Sequence, residues 1–444
     1  MSSVNMDSSL TEQARSVSCE SRHPQDGPLS RPRSFKWAFL ATTICGTVNN
    51  LLYCIVSGAS QNLVRHFGME SQVTALTMSM TGFALVASFV STRLLIHLRF
   101  YTRICLVLSM STVAYAGLAV ASTMEGVAGF AVAVFFSCFA GSQQVIGEAT
   151  NIAFLKAFPA ELIGGWGAGT GIAGILGSGT YILLSGPLDL SNAMIFGLVA
   201  PITLVYWAAF HYLHREATRG LEGERLAKVL GGNSGATRSS ACEGVEPGLH
   251  EQLQPQDPHV APANWANVRA AFRCSGSVIC NLVAVYMLEY TIYPGLDDRE
   301  TLCSGKEWYT TMWMCYNVGV TLSRLSVAVF RIERVWLLTL LQAANVAGWV
   351  LEVYRGWIRN SLPNGNGLCI CAAWMVLVGL CGGATYANCM YQFNQKEGIP
   401  NNIRELGMNL GVLMSNLGIT TATLSFMLLN RTVLAESVVY PHGC

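Results

Sequence analysis

Eleven long apolar runs limit what this chain can fold into. Each run is close to the roughly 20 residues that a helix needs to cross a bilayer. Because backbone groups in lipid must be satisfied within the protein, the runs predict an all-α polytopic membrane protein with about 11 transmembrane helices. They cover residues 37–61, 72–92, 103–124, 127–148, 162–185, 191–212, 274–296, 308–330, 335–354, 367–391 and 406–430.

The composition agrees with burial in a lipid bilayer. Hydrophobic residues make up 52% of the chain and charged residues 12%, against about 25% charged residues in ordinary soluble domains. The net charge of +1 gives no reason to expect a nucleic-acid partner. The lipid bilayer is therefore the first expected partner.

The fifth run, 162–185, combines a lack of charge with many glycines. It has no charged residue over 24 positions, and eight of them are glycine. Small residues at helical spacing let a second helix approach closely, since lipid gives no hydrophobic drive for association. We therefore predict four helix-packing glycines: Gly165, Gly169, Gly171 and Gly174.

The apolar runs divide into two groups around a polar segment. Residues 1–36 and 214–264 are polar and rich in Ser, Gly and Pro, which predicts a disordered tail and a disordered linker. This gives an N-terminal six-helix bundle at 37–213, a C-terminal five-helix bundle at 265–430 and a tail at 431–444. Two pseudo-repeated bundles are typical of secondary transporters, whose sites lie near the midplane.

Lys and Arg are more frequent in the loops that lie on the same side of the membrane as the N-terminal tail. The positive-inside rule therefore predicts a cytosolic tail and linker. The odd number of spans then places the C-terminal tail in the lumen.

Ionisable residues inside predicted spans are candidate functional groups, because charge is costly in the membrane. They are Glu148, Glu289, Arg324 and Glu352. At 1.5 Å per residue, Glu289 lies about 22 Å from the cytosolic start of its span and Arg324 about 24 Å from the luminal start of its own. These two should not pair directly. Glu148 shares the cytosolic level of Arg324, so Glu148 and Arg324 are a candidate gate pair, unless Arg324 only snorkels to the headgroups.

Glu289 is the proton-coupling candidate, because apolar surroundings favour the protonated form of a carboxyl group. A structural hydrogen bond to a neighbouring helix is the alternative. Polar residues near mid-depth are substrate-path candidates, or else hydrogen-bonding contacts between helices. They are Asn49, Asn50, Thr170, Asn281, Tyr286, Tyr316, Asn317, Gln342, Asn345 and Asn416.

Motifs of soluble enzymes are missing from the sequence. It contains no phosphate-binding GxxxxGK[ST], no HExxH and no Cys/His cluster at metal-binding spacing. We expect no enzyme activity, no cofactor and no metal. The 15 cysteines are scattered, although Cys303, Cys369 and Cys371 could pair in an oxidising lumen.

Five segments, taken in order, resemble the battenin family of lysosomal or vacuolar membrane proteins. They are NNLLY (49–53), FPAELIGGWGAGTGIAG (158–174), VAVYMLEYTIYPGL (283–296), WYTTMWMCYNVGVTLSRLS (308–326) and GLCGGATYANCMYQF (379–393). The resemblance covers about 37–430. It implies an endolysosomal protein related to the major facilitator superfamily and to equilibrative nucleoside transporters. It also implies links to lysosomal pH, basic amino acid transport and export of glycerophosphodiesters.

The residues and the resemblance together predict a secondary transporter of a small polar solute in the lysosomal or vacuolar membrane. One alternative is a non-transporting scaffold that binds trafficking proteins through its tail and linker. Another is an equilibrative nucleoside transporter. A scaffold would tolerate loss of the polar residues in the spans but not deletion of 214–264.

Overall fold

A computed structural model describes residues 34–93, 98–155, 161–231, 265–301, 307–326, 330–358, 366–395 and 401–432, with isolated positions between them. The long elements in these ranges are α-helices. They are α1 Phe35–His66, α2 Val73–Arg93, α3 Phe100–Ala121, α4 Gly126–Leu155, α5 Glu161–Ser185, α6 Asn192–Val199, α7 Ile202–Gly231, α8 Trp265–Tyr290, α9 Asp297–Thr301, α10 Trp308–Ser326, α11 Val335–Arg355, α12 Asn366–Gln395 and α13 Asn401–Arg431.

Each of the eleven predicted spans coincides with helix over the residues that the structure describes. In the described part of the chain, ten helices are long and apolar enough to cross a membrane. The predicted span that is not among these ten is 308–330. It corresponds to α10, which carries several polar side chains. It packs against α1, α5 and α12, so protein rather than lipid surrounds much of its surface and a polar composition is tolerated.

The sixth span is interrupted and longer than predicted. Pro201 separates α6 from α7, because proline has no backbone N–H to continue the helix. Helix α7 then runs to Gly231. Within it, an Arg219–Glu216 ion pair of 3.1 Å joins successive turns. Residues 214–231 are thus helical rather than part of an irregular linker. The rest of the predicted linker and most of both predicted tails lie outside the described residues.

Short connections between successive spans make the directions of the spans alternate. The start of α1, the end of α7 and the start of α8 lie at the same end of the bundle, which we call the linker end. We call the opposite end the far end. Helices α1–α7 form the N-terminal half and α8–α13 form the C-terminal half.

The two halves are joined mainly at the far end. The largest apolar core takes residues from both halves there, such as Leu52 and Ile55 with Met312 and Trp313. Towards the linker end the cores separate, and each belongs to one half. The halves therefore pack as one body at the far end and as two bodies at the linker end.

A set of hydrogen bonds between the halves accompanies this far-end core. Tyr293 donates to the Ser57 carbonyl at 2.7 Å, and Thr310 donates to the Gly58 carbonyl at 2.7 Å. Others run from Trp313 Nε1 to the Cys54 carbonyl at 3.2 Å, from Gln61 to Asp298 Oδ1 at 3.0 Å and between the Tyr53 and Tyr290 hydroxyls at 3.3 Å. We call these bonds the far-end seal.

The part that the C-terminal half contributes to the seal depends on a bend after α8. Residues Thr291–Leu296 form a wide helical turn in which Tyr293 leaves the helical conformation, with φ −112° and ψ 128°. Pro294 cannot donate the backbone hydrogen bond that a straight helix requires. The bend directs the Tyr293 side chain at α1 and starts the short helix α9 in a new direction.

Candidate functional site

Glu289 is a buried carboxylate in the C-terminal half. Its side chain is 1% exposed, and Oε1 accepts a hydrogen bond from the Tyr316 hydroxyl of α10. Oε2 has no hydrogen-bond partner among the described residues. Gly382 of α12 makes the space, because a Cβ there would overlap the carboxylate.

Arg324 supplies a positive charge at the boundary of the two halves. Its guanidinium lies 4.8 Å from the centre of the Tyr386 ring, a distance typical of a cation–π contact. Nε has no hydrogen-bond partner in the described structure. The guanidinium interacts electrostatically with Glu148 of the N-terminal half and with Glu289 of its own half. We call Glu148, Glu289, Tyr316, Arg324 and Tyr386 the inter-half centre.

The predicted separation of Glu289 and Arg324 is only partly correct. No ion pair within 4.0 Å joins their side chains, as expected from their different heights. However, the chain continues beyond Glu289 through α9, so the carboxylate lies deeper inside the bundle than the sequence suggested. Arginine side chains on a helix also lean towards its N-terminus, which for α10 is the far end. The guanidinium therefore reaches towards Glu289.

The two members of the predicted gate pair are not joined by an ion pair in the described structure. Glu148 and Arg324 are both half-buried and attract each other electrostatically, yet the described side chains form no ion pair.

The gate pair can be tested by exchanging the two charges. We expect Glu148→Arg and Arg324→Glu each to impair function, because each places like charges opposite one another. The double variant should recover activity relative to both single variants, since it restores the attraction. Activity of the reconstituted protein is the measurement. A double variant no better than either single one would exclude the pairing.

Several predicted path residues instead hold helices of one half together. Asn49 is fully buried, donates to the Gln144 carbonyl at 2.8 Å and accepts from Tyr206 at 3.2 Å. Asn345 donates to Gln342 at 3.1 Å and accepts from Trp374 Nε1 at 3.0 Å. These bonds use much of the polar capacity of Asn49 and Asn345, so the structural alternative describes those two better. Gln342 Nε2, in contrast, has no hydrogen-bond partner among the described residues.

The other predicted residues divide between the two roles. Asn50 accepts from Gln144 Nε2 at 2.7 Å, Thr170 bonds its own helix through the Gly167 carbonyl, and Asn281 accepts from Thr339. In contrast, Asn317 faces Gly174 across the halves. Tyr286 packs edge-on against Tyr386, with ring centres 6.2 Å apart, so it borders the inter-half centre. Asn416 is half-buried on α13.

Sequence reasoning missed Tyr386, Gln144 and Tyr206. Tyrosines and glutamines in apolar runs resemble ordinary packing residues, and only the fold shows which of them face a charge. One signal was available for Tyr386. Tyr386 stands near Gly382 and Gly383 in the segment 379–393. A Cβ on Gly382 would meet the Glu289 side chain, and one on Gly383 would meet the Ser323 side chain.

The four predicted packing glycines all lie at helix contacts. A Cβ on Gly165 or Gly169 would meet α1 of the same half, and one on Gly171 or Gly174 would meet α10 of the other half. Glycine in α5 therefore serves both the interior of the N-terminal half and the interface between the halves.

This arrangement of two helical halves is the major facilitator fold. The structure is similar to the D-xylose-proton symporter, with a TM-score of 0.59 at 12% identity over 90% of this chain and 92% of that chain. It is also similar to the inward-open xylose transporter XylE from E. coli, with a TM-score of 0.55 at 11% identity over 91% and 96% of the two chains. At these identities the likeness concerns the fold alone.

Sequence comparison gives the family. The model of the CLN3 protein family matches residues 38–435. Battenin from Dictyostelium discoideum is 28% identical over 411 residues, which is 88% of this chain and 94% of the relative. Protein BTN1 from Chaetomium globosum is 26% identical over 411 residues, or 86% and 85% of the two chains. The chain belongs to the CLN3, or battenin, family of multi-pass membrane proteins.

Proposed function

We propose that this protein is a secondary transporter that moves a small polar solute across an endolysosomal or vacuolar membrane. The observation that carries the proposal is the inter-half centre. A guanidinium interacts electrostatically with a carboxylate of each helical half, near the level where the shared core divides into two. Charges at such a boundary cost free energy in a static membrane protein, whereas a transporter uses them to bind solute and to change conformation.

The conformation supports alternating access. With the predicted topology, the far-end seal closes the luminal side and the separated cores face the cytosol. The open Glu148–Arg324 gate pair belongs to the same state. The opposite state requires the seal to break and the gate pair to form. In this proposal Arg324 binds the solute in one state and pairs with Glu148 in the other.

Glu289 is the coupling group in this proposal. Its free Oε2 can take a proton from an acidic lumen when the far end is open, and can release it when the linker end is open. Proton and solute then leave the lumen together. Tyr316 holds the carboxylate in place through its hydrogen bond, and this positions the proton beside Arg324.

The test of proton coupling has two steps. First, metabolite profiles of organelles with and without the protein identify the solute that accumulates in its absence. Export of that solute from reconstituted vesicles is then measured across a series of luminal pH values. We expect wild-type export to rise as the lumen is acidified, and Glu289→Gln to bind solute but lose this dependence.

The matched control is Glu125→Gln, which changes an exposed carboxylate in the loop between α3 and α4 and should keep the wild-type pH profile. An unchanged profile in Glu289→Gln would leave Glu289 with a structural role only. A scaffold would give a different pattern, with no solute difference and with function lost only on deletion of 214–264.

A further inference from the structure

An apolar groove lies on the outer surface of the N-terminal half, between α1 and α7. Helix α7 packs mainly against α1 and α3, so this surface is away from the boundary between the halves. The groove has a cavity volume of about 250 Å³ and runs about 10 Å along α1. It is lined by Trp37, Leu40 and Ala41 of α1 and by Ala208, Ala209 and Tyr212 of α7, among others.

The groove is concave because its floor and its rim have side chains of different size. Ala41 and Ala209 are buried between the two helices and form the floor. Trp37 is 63% exposed and Leu40 is 45% exposed, and these larger side chains stand at the rim. A narrow apolar channel open towards lipid therefore starts near the linker end of the bundle.

Two basic side chains stand one helical turn beyond the groove, at its linker end. Lys36 precedes Leu40 by four positions on α1, and Arg215 follows Tyr212 by three positions on α7. These spacings place each pair on one face of its helix. Lys36 and Arg215 are both exposed, and neither forms an ion pair in the part of the chain that the structure describes.

Two acidic residues at the same end do not neutralise these charges. Glu216, next to Arg215 in the sequence, is paired with Arg219 at 3.1 Å. Glu161, at the start of α5, is exposed and joins no ion pair with a described residue. Positive charge in the headgroup layer attracts anionic lipids. The groove and the two charges together therefore complement an apolar chain attached to a negative headgroup.

We propose that this groove binds one anionic phospholipid from the leaflet at the linker end, which the predicted topology makes the cytosolic leaflet. One acyl chain lies in the groove over Ala41 and Ala208, and the phosphate lies between Lys36 and Arg215. Trp37 stands where the apolar groove meets the charges, a position that tryptophan favours at membrane interfaces. The site lies within the N-terminal half, so binding requires neither solute nor a change between transport states.

A bound lipid differs from the lipid that surrounds any membrane protein. Lysine and arginine near the end of a span contact whatever headgroups are present. In the proposed site, two charges from different helices act on one phosphate, and the acyl chain occupies a fixed groove. Binding should therefore depend both on the charge of the headgroup and on the open space beside Ala208.

Native mass spectrometry of the purified full-length protein measures this dependence. The anionic probe is palmitoyl-oleoyl phosphatidylglycerol, and phosphatidylcholine with the same chains is the zwitterionic probe. We expect the wild type to bind one phosphatidylglycerol at least about tenfold more tightly than phosphatidylcholine, since each basic residue near an anionic headgroup contributes about fivefold. Lys36→Gln with Arg215→Gln should abolish this preference.

Each variant has a matched control elsewhere on the chain. Arg269→Gln with Arg273→Gln removes two exposed charges of α8 at the same end of the bundle and should keep the preference. Ala208→Phe fills the groove from an exposed position and should weaken binding of both lipids. Ala343→Phe, at an exposed position of α11, should weaken neither. Thermal unfolding profiles of all variants confirm that they are folded.

Equal binding of the two lipids by the wild type would overturn the proposal. A preference that survives Lys36→Gln with Arg215→Gln, or an equal loss in the α8 variant, would overturn it too. Normal lipid binding by Ala208→Phe would exclude the groove as the place of the acyl chain. A wild-type protein that pairs with a second copy of itself and retains no lipid would show that this surface is a dimer interface instead.

Discussion

Gly169→Ala is expected to destabilise the folded protein by about 1–3 kcal/mol or more, the usual cost of overpacking a close contact. The added Cβ would overlap the Thr43 carbonyl oxygen and lie 2.9 Å from the Thr47 nitrogen. Both are backbone atoms of α1, so no side-chain rotation can relieve the contact. Helices α1 and α5 would have to separate, and the N-terminal half would lose its tightest helix pair.

The same helix offers a matched control. Gly167 is exposed, and a Cβ there would meet nothing within 4 Å. Gly167→Ala should therefore be neutral or stabilising by up to about 1 kcal/mol, because alanine is the better helix former. The measurement is the fraction of purified protein that stays monodisperse after heating across a temperature series. Equal loss in both variants would show that α5 responds to helix composition rather than to this contact.

The second large effect is expected from a disulfide across the far-end seal. A Cβ placed on Gly58 would lie 3.1 Å from Thr310 Cγ2. Because a cysteine sulfur at position 310 would take a place such as that of Cγ2, cysteines at these two positions are adjacent side chains and candidates for a disulfide. Gly58 is on α1 and Thr310 on α10, which belong to different halves. We expect Gly58→Cys with Thr310→Cys to cross-link and to hold the far end closed.

Formation of the bond can be measured directly. Cleavage at a protease site placed in the linker yields two fragments, one for each half. They run separately on a denaturing gel unless a disulfide joins them. Each single variant serves as a control for pairing with native cysteines such as Cys54, which is buried nearby. The double variant should stay joined after oxidation and separate after reduction, whereas both single variants should separate in either condition.

The helices were predictable because lipid imposes a simple rule. A segment such as 162–185 must be long and uncharged to cross the membrane, and its glycines predicted close packing before any partner was known. The partners themselves were not predictable. Gly169 packs within its own half and Gly171 across to the other half, although they are only two positions apart, because successive helix residues face in different directions.

The candidate site was only partly predictable. Glu289 and Arg324 were identified from charge alone, since charge inside an apolar run is rare. Their relative position depended on the bend at Pro294 and on the lean of the arginine side chain, and neither is visible in a count of residues from a span end. The amides were harder, because Asn49 and Asn345 look like path residues until their hydrogen bonds to neighbouring helices are known.

The central claim is that solute passes between two halves that open alternately. The most direct measurement is export of the identified solute from vesicles containing the Gly58→Cys, Thr310→Cys protein, before and after reduction. We predict negligible export from the oxidised protein and recovery towards the wild-type rate once a reductant breaks the bond. Export at the wild-type rate from fully cross-linked protein would contradict it, because the far end would then not need to open.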